Sequence, residues 1–128
     1  MCKYLVNNPE RGMIYKVDET KGLDVYIDAD FAGGWNAIDS DNAENVMSRT
    51  GFIISYVNYQ VVWSRKHQTE IALSTAEAEH IALLQALHEV IPVQNMKKEF
   101  NCIFPLYTPK TNFCLTVHED NQSTIMMA

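Results

Sequence analysis

Residues 23–31 alternate without a break. Leu23, Val25, Ile27, Ala29 and Phe31 are apolar, and Asp24, Tyr26, Asp28 and Asp30 fall between them. Successive side chains of a strand point to opposite faces, so this period of two predicts a half-buried strand, running into a turn at Gly33-Gly34. A strand with one apolar face needs partners, and the chain supplies them. Thr50–Val57 and Gln60–Ser64 are rich in Ile, Val, Phe and Tyr, and the short Val57-Asn58-Tyr59 link between them suits a hairpin. Residues 34–48, with Asp39, Asp41 and Glu44, read as an acidic exposed loop between the first strand and this pair.

Ser74-Thr75-Ala76-Glu77 carries the capping-box pattern, a serine N-cap with glutamate three residues on. The helix it opens is predicted to end near Val90, because Pro92 interrupts it, with a shorter helical piece continuing to Phe100. Phe113–Glu119 alternates as another strand, and Asn121–Ala128 reads as the first turns of a helix. Upstream, Met1–Leu5 reads as the end of a helix stopped by Asn7-Asn8-Pro9. Strands joined by short links form an antiparallel meander, and a strand reached across a helical crossover pairs parallel with its neighbour. The expected class is therefore α/β, with one sheet of mixed direction.

The 128 residues amount to one domain. No apolar run is long enough to span a bilayer, and the first residues lack the apolar core of a signal peptide. Cys2, Cys102 and Cys114 are odd in number and show no C-x-x-C spacing, which fits reduced thiols and a cytoplasmic or nuclear, not secreted, protein. Ten Lys and Arg against sixteen Asp and Glu give a net charge of −6, the reverse of the usual phosphate-binding surface.

Three acids fall where acids are costly or where a sheet opens. The apolar stripe of the 74–90 helix passes through Ala82, Leu83, Ala86, Leu87 and Val90, and Glu79 lies on it, whereas Glu77 projects away and serves the cap. Asp28 lies near the C-terminal end of its strand and Asp120 just beyond the end of another, and open α/β sheets place sites beyond such ends. If those strands are parallel neighbours, Asp28 and Asp120 sit side by side. The plainer alternatives stay open at this level: Glu79 at the rim of the core reaching solvent, and two turn aspartates, with Asp120-Asn121 capping the last helix. Together the three describe a hard-cation site, with oxygen ligands suited to magnesium or manganese.

The words around these acids resemble the ribonuclease H domain of copia-type LTR retrotransposon Pol polyproteins. The resemblance is carried by Tyr26-Ile27-Asp28-Ala29-Asp30-Phe31-Ala32-Gly33, Ser48-Arg49-Thr50-Gly51-Phe52, Trp63-Ser64-Arg65-Lys66-His67-Gln68, Ala72-Leu73-Ser74-Thr75-Ala76-Glu77-Ala78-Glu79-His80-Ile81-Ala82-Leu83 and Glu119-Asp120-Asn121-Gln122-Ser123. Residues 3–15 are similar to the segment that joins the reverse transcriptase to this domain.

The resemblance implies a ribonuclease H-like fold, a mixed five-stranded sheet flanked by helices, with the last strand and C-terminal helix missing from this chain. It implies residues 1–22 as the end of the reverse transcriptase connection and 23–128 as the ribonuclease H-like domain, truncated at its C-terminus. The implied activity is metal-dependent hydrolysis of the RNA strand of an RNA–DNA hybrid. Asp28, Glu79 and Asp120 would be the catalytic residues and hold two Mg2+ ions, with Mn2+ as a substitute. The family's fourth metal-binding acid falls beyond Ala128. Asp30 belongs to the same word, one step removed from the metal. Arg65, Lys66 and His67 read as the densest basic spot, just after the third strand, with Arg49 in the preceding loop; they would touch hybrid phosphates, with a solvated turn as the alternative. Implied partners are the hybrid and the reverse transcriptase and integrase parts of the parent polyprotein, with no membrane and no small-molecule cofactor. The competing reading is a catalytically inactive remnant that binds only nucleic acid or protein. Trp35 and Trp63 read as packing residues.

Overall fold

The computed structural model describes residues 2–12, 14–35, 38, 45–105 and 114–127. The elements in chain order are α1 (Cys2–Asn7), β1 (Leu23–Asp30), β2 (Arg49–Tyr56), β3 (Tyr59–His67), α2 (Thr75–Ile103), β4 (Leu115–His118) and α3 (Gln122–Met127). The strands form one four-stranded sheet in the order β3-β2-β1-β4. β1 pairs antiparallel with β2 and parallel with β4, and β2 pairs antiparallel with β3. The mixed α/β sheet expected from the sequence is what forms, with four strands among the described residues. Asp39, Asp41 and Glu44 of the acidic loop and Phe113 of the fourth strand lie outside the described residues.

Alternation decides which side of the sheet is covered. Leu23, Val25 and Ile27 of β1 and Phe52 and Ile54 of β2 are buried and meet Ala82, Leu83, Ala86 and Val90 of α2. Small alanines let the helix approach the sheet closely, and each fully buried Val, Ile or Phe contributes about 1.5–3 kcal/mol. The opposite face of β1–β3 carries Tyr26, Ile53 and Trp63 in register, all exposed.

Two sequence expectations need correction. α2 runs unbroken from Thr75 to Ile103 with Pro92 inside it, rather than stopping near Val90. Proline removes one helical hydrogen bond, the one to His88, but both residues are exposed, so water replaces the lost donor. Val90 and Val93 flank the proline and pack on the core, which carries the apolar stripe across it. β3 is also longer than Gln60–Ser64 and continues to His67 because its last residues pair with Arg49–Gly51.

The β2–β3 link is a two-residue turn in which Val57 and Asn58 both adopt positive φ, 53° and 70°. That backbone matches the twist of a hairpin, although a β-branched residue adopts it only under strain. Val57 is held there by burial and by its N–H bond to the Gly22 carbonyl at 3.1 Å. Gly22 has its own constraint: a Cβ there would collide with the Cys114 backbone carbonyl, which accepts the Leu23 N–H at 3.0 Å. The junction of β1 with β4 therefore requires glycine at this position.

Candidate functional site

The parallel pairing of β1 with β4 sets the frame. Tyr26 stands opposite His118, their rings stacked at 4.3 Å, and His118 Nε2 lies 2.9 Å from Asp24 Oδ1. The parallel pairing ends at Tyr26 opposite His118; Asp28 follows two residues on, still within β1, and Asp120 two residues on, just past the end of β4. Asp28 and Asp120 are exposed.

Glu79 enters from the covered side. Ser74 caps α2 by accepting the Glu77 N–H at 3.2 Å, and Glu77 accepts the Leu73 N–H at 2.7 Å. The capping box thus closes one residue upstream of the serine's own N–H. Glu77 is exposed and used by the cap, whereas Glu79, on the buried stripe, is only 8% exposed. Its Oε2 is buried with no hydrogen-bond partner. Burial, followed by the negative charges of Glu119, Asp28 and Asp120, pushes its carboxyl up to about 7, against a smaller opposing pull from the Ala29 backbone N–H.

Glu119 joins this cluster, although the sequence pattern alone does not single it out. The alternation of β4 places Leu115, Val117 and Glu119 half-buried, with Thr116, His118 and Asp120 exposed between them. The period-two argument that exposes Asp120 therefore also turns Glu119 towards the core side. Carboxylate oxygens of Glu79, Glu119 and Asp120 lie within 4.8 Å of one another. Asp28 lies outside that group of three, although its charge is felt at Glu79.

Two buried polar residues hold these elements in place. Gln68 Nε2 donates to the Ala78 carbonyl at 2.8 Å and to Thr50 Oγ1 at 3.1 Å, tying the end of β3 to the first turn of α2. Thr124 Oγ1 donates to the Ala76 carbonyl at 3.4 Å, docking α3 on the same turn, and its N–H bonds to Asn121 Oδ1 at 3.3 Å. Asn121, rather than Asp120, thus caps α3.

The basic residues do not form the single spot expected from their adjacency. Arg65, Lys66 and His67 lie within β3, not after it, Arg49 opens β2 rather than lying in a loop, and neighbouring residues of a strand face opposite ways. Arg65 pairs with Gly51 and shares the open face with Arg49 and Asp28, whereas Lys66 pairs with buried Thr50 and points to the other side. On the open face a groove of about 1010 Å³ is lined by Tyr26, Asp28, Asp30, Arg49, Trp63 and Arg65 among others. Arg49 Nε donates to His67 Nε2 at 3.3 Å on this side. Trp63 and Trp35, expected in packing roles, are instead 72% and 61% exposed. No helix among the described residues is long and apolar enough to cross a membrane.

The chain is 28% identical over 90 residues, 70% of its length, to the retrovirus-related Pol polyprotein from transposon RE2 of Arabidopsis thaliana. It is 36% identical over 74 residues, 58% of its length, to that from transposon TNT 1-94 of Nicotiana tabacum. It is also 30% identical over 91 residues, 71% of its length, to the secreted RxLR effector protein 161 of Plasmopara viticola, of which the match covers 58%. The matches cover only 6% and 5% of the two polyproteins. No family model and no solved structure matches the chain. By these comparisons the chain is similar to a short segment of retrovirus-related Pol polyproteins from transposons.

Proposed function

We propose that the chain is the ribonuclease H-like domain of such a polyprotein, hydrolysing the RNA strand of an RNA–DNA hybrid with magnesium or manganese. The carrying observation is the convergence of carboxylates at the ends of β1 and β4. Glu79, Glu119 and Asp120 bring oxygens within 4.8 Å of one another, and Asp28 stands beside them. The sheet order β3-β2-β1-β4 with α2 on one face is compatible with the ribonuclease H-like fold, and the motif words of the sequence support that reading. The partners are then the hybrid and the reverse transcriptase and integrase parts of the parent polyprotein.

The donor set fits a divalent cation. Ionised carboxylates this close repel one another, and a buried carboxylate oxygen without a partner is expensive. Oxygen-only ligands suit magnesium or manganese, and Asp28, Glu79 and Asp120 would hold the ions. When bound, such ions supply charge neutralisation at a phosphodiester and lower the pKa of water. The chain's own residues do the positioning. Glu79 is fixed by burial, and Asp28 and Asp120 present carboxylates at the open rim. Arg49 and Arg65 offer guanidinium groups along the groove, where the phosphates of a hybrid strand would be held.

The test gives the purified chain a labelled RNA–DNA hybrid with magnesium or manganese, beside an Asp28→Asn control. Cleavage lost in the control is the expected result. Equal cleavage in both removes the assignment, and hybrid binding without cleavage returns the inactive-remnant reading.

A further inference from the structure

Asp28, Glu79 and Asp120 were picked out by sequence, but the three carboxylates that actually crowd together are Glu79, Glu119 and Asp120. We infer that Glu119 is a ligand of the cation site, sharing one divalent ion with Glu79 and Asp120 on the core side of the strand ends. The inference rests on the proposed reading of Glu79 and Asp120 as cation ligands and adds a residue to it.

Two buried atoms point to a ligand between them. Glu79, more than nine-tenths buried, has an Oε2 with no hydrogen-bond partner, and Glu119 Oε2 is likewise buried without one. The orientation of Glu119 is not accidental. Its Oε1 accepts the Asn121 N–H at 3.0 Å, which fixes the carboxylate plane and leaves the second oxygen on the inner side. The turn that makes this bond is the one whose Asn121 Oδ1 caps α3, so the α3 cap and the Glu119 carboxylate are set by one local geometry. Two partnerless oxygens, with Asp120 in reach, form a set of hard donors suited to a cation of the size of Mg2+ or Mn2+.

The inference assigns different work to the two sides of the site. Glu119 and Glu79 hold the ion from the core side. Asp28, outside the group of three, faces the groove where a phosphodiester would lie.

The experiment titrates the metal-free full chain with Mn2+ alone, following free Mn2+ by electron paramagnetic resonance and the melting temperature by circular dichroism. Wild-type, Glu119→Gln, Asp120→Asn and Asp28→Asn chains are compared. The expected result is Mn2+ affinity at least about tenfold weaker in Glu119→Gln and in Asp120→Asn, with loss of the Mn2+-induced rise in melting temperature. Asp28→Asn should weaken Mn2+ binding less than Glu119→Gln does. Affinity unchanged in Glu119→Gln but lost in Asp120→Asn overturns the role of Glu119 while leaving the metal reading intact. No Mn2+ binding by the wild type overturns both. Binding that depends on Glu119 in a chain that cleaves no hybrid upholds the site and removes only the proposed activity. A second measurement needs no variant: in wild-type protein carrying 13C-labelled glutamate carboxyls, diamagnetic Mg2+ should shift the Glu79 and Glu119 carboxyl resonances together. A shift of Glu79 with Glu119 unmoved overturns the inference even if Glu119→Gln does not fold.

Discussion

The acidic end of the sheet and its cationic side are built from residues of opposite charge, and they are assembled in opposite ways. Glu79, Glu119, Asp120 and Asp28 come from three elements far apart in the chain and meet at one rim. Arg65 and Lys66 are adjacent in the chain, and the strand that carries them sends them to opposite faces. The carboxylates are drawn in because parallel pairing of β1 with β4 aligns two strand ends beneath the first turns of α2. The cations stay dispersed along β3, the edge strand of the sheet. The acidic end gathers acids around one buried carboxylate, Glu79, at a cost; the cationic side is a surface along which charge is spread. The global charge of −6 conceals this division.

The largest expected effect tests the acidic end directly. Glu79→Gln should abolish hybrid hydrolysis, by about 100-fold or more in initial rate, while making the metal-free chain more stable at neutral pH. Activity retained in Glu79→Gln would reduce the acidic end to a structural feature no different from the cationic side. Next, Gln68→Ala removes two buried hydrogen bonds that tie β3 to α2 and should lower unfolding free energy by about 2–3 kcal/mol in urea titrations. An unchanged midpoint would mean that the two regions are not mechanically joined through Gln68.

A pH series gives a smaller, signed effect. With the Glu79 carboxyl raised from 4.5 to about 7 on folding, the native chain binds more protons than the unfolded one between those values. Stability of the metal-free protein should therefore be fullest below pH 4.5 as far as this group is concerned, and fall as pH rises through 7. The loss amounts to about 2 kcal/mol after solvent screening at the rim of the core is allowed for. Glu79→Gln should flatten that segment of the stability profile, and a slope that persists in the variant would place its origin elsewhere. The smallest effect concerns the cationic side. Arg65→Ala should weaken hybrid binding and reduce the slope of log affinity against log salt by about 1, while Lys66→Ala leaves both near the wild type. Equal losses in the two variants would show that the contact runs around the edge of β3 rather than along the open face.

Much of the fold could be read from periodicity because local constraints agreed. The alternation of residues 23–31, the two strands around Val57 and Asn58, and the Ser74 cap each became the expected element. The helix end was misplaced because a local rule about proline gave way to packing: Val90 and Val93 bury an apolar stripe that spans Pro92. The buried position of Glu79 was legible because an acid breaks an apolar pattern there. Glu119 breaks the alternating pattern in the same way, one position before Asp120.

The sequence by itself determined the elements, the faces of each strand and the presence of a carboxylate on the buried stripe of a helix. These follow from spacing along the chain, which is a property of neighbours. Only the tertiary structure decided that Glu79 meets Glu119 and Asp120 within 4.8 Å, that Asp28 stands just outside that group, and that Arg65 and Lys66 part company. Distances between elements depend on the register of β1 with β4 and on where α2 docks. Those are set by how the apolar faces pack, with Gln68 and Thr124 fastening the ends, and no local pattern encodes them.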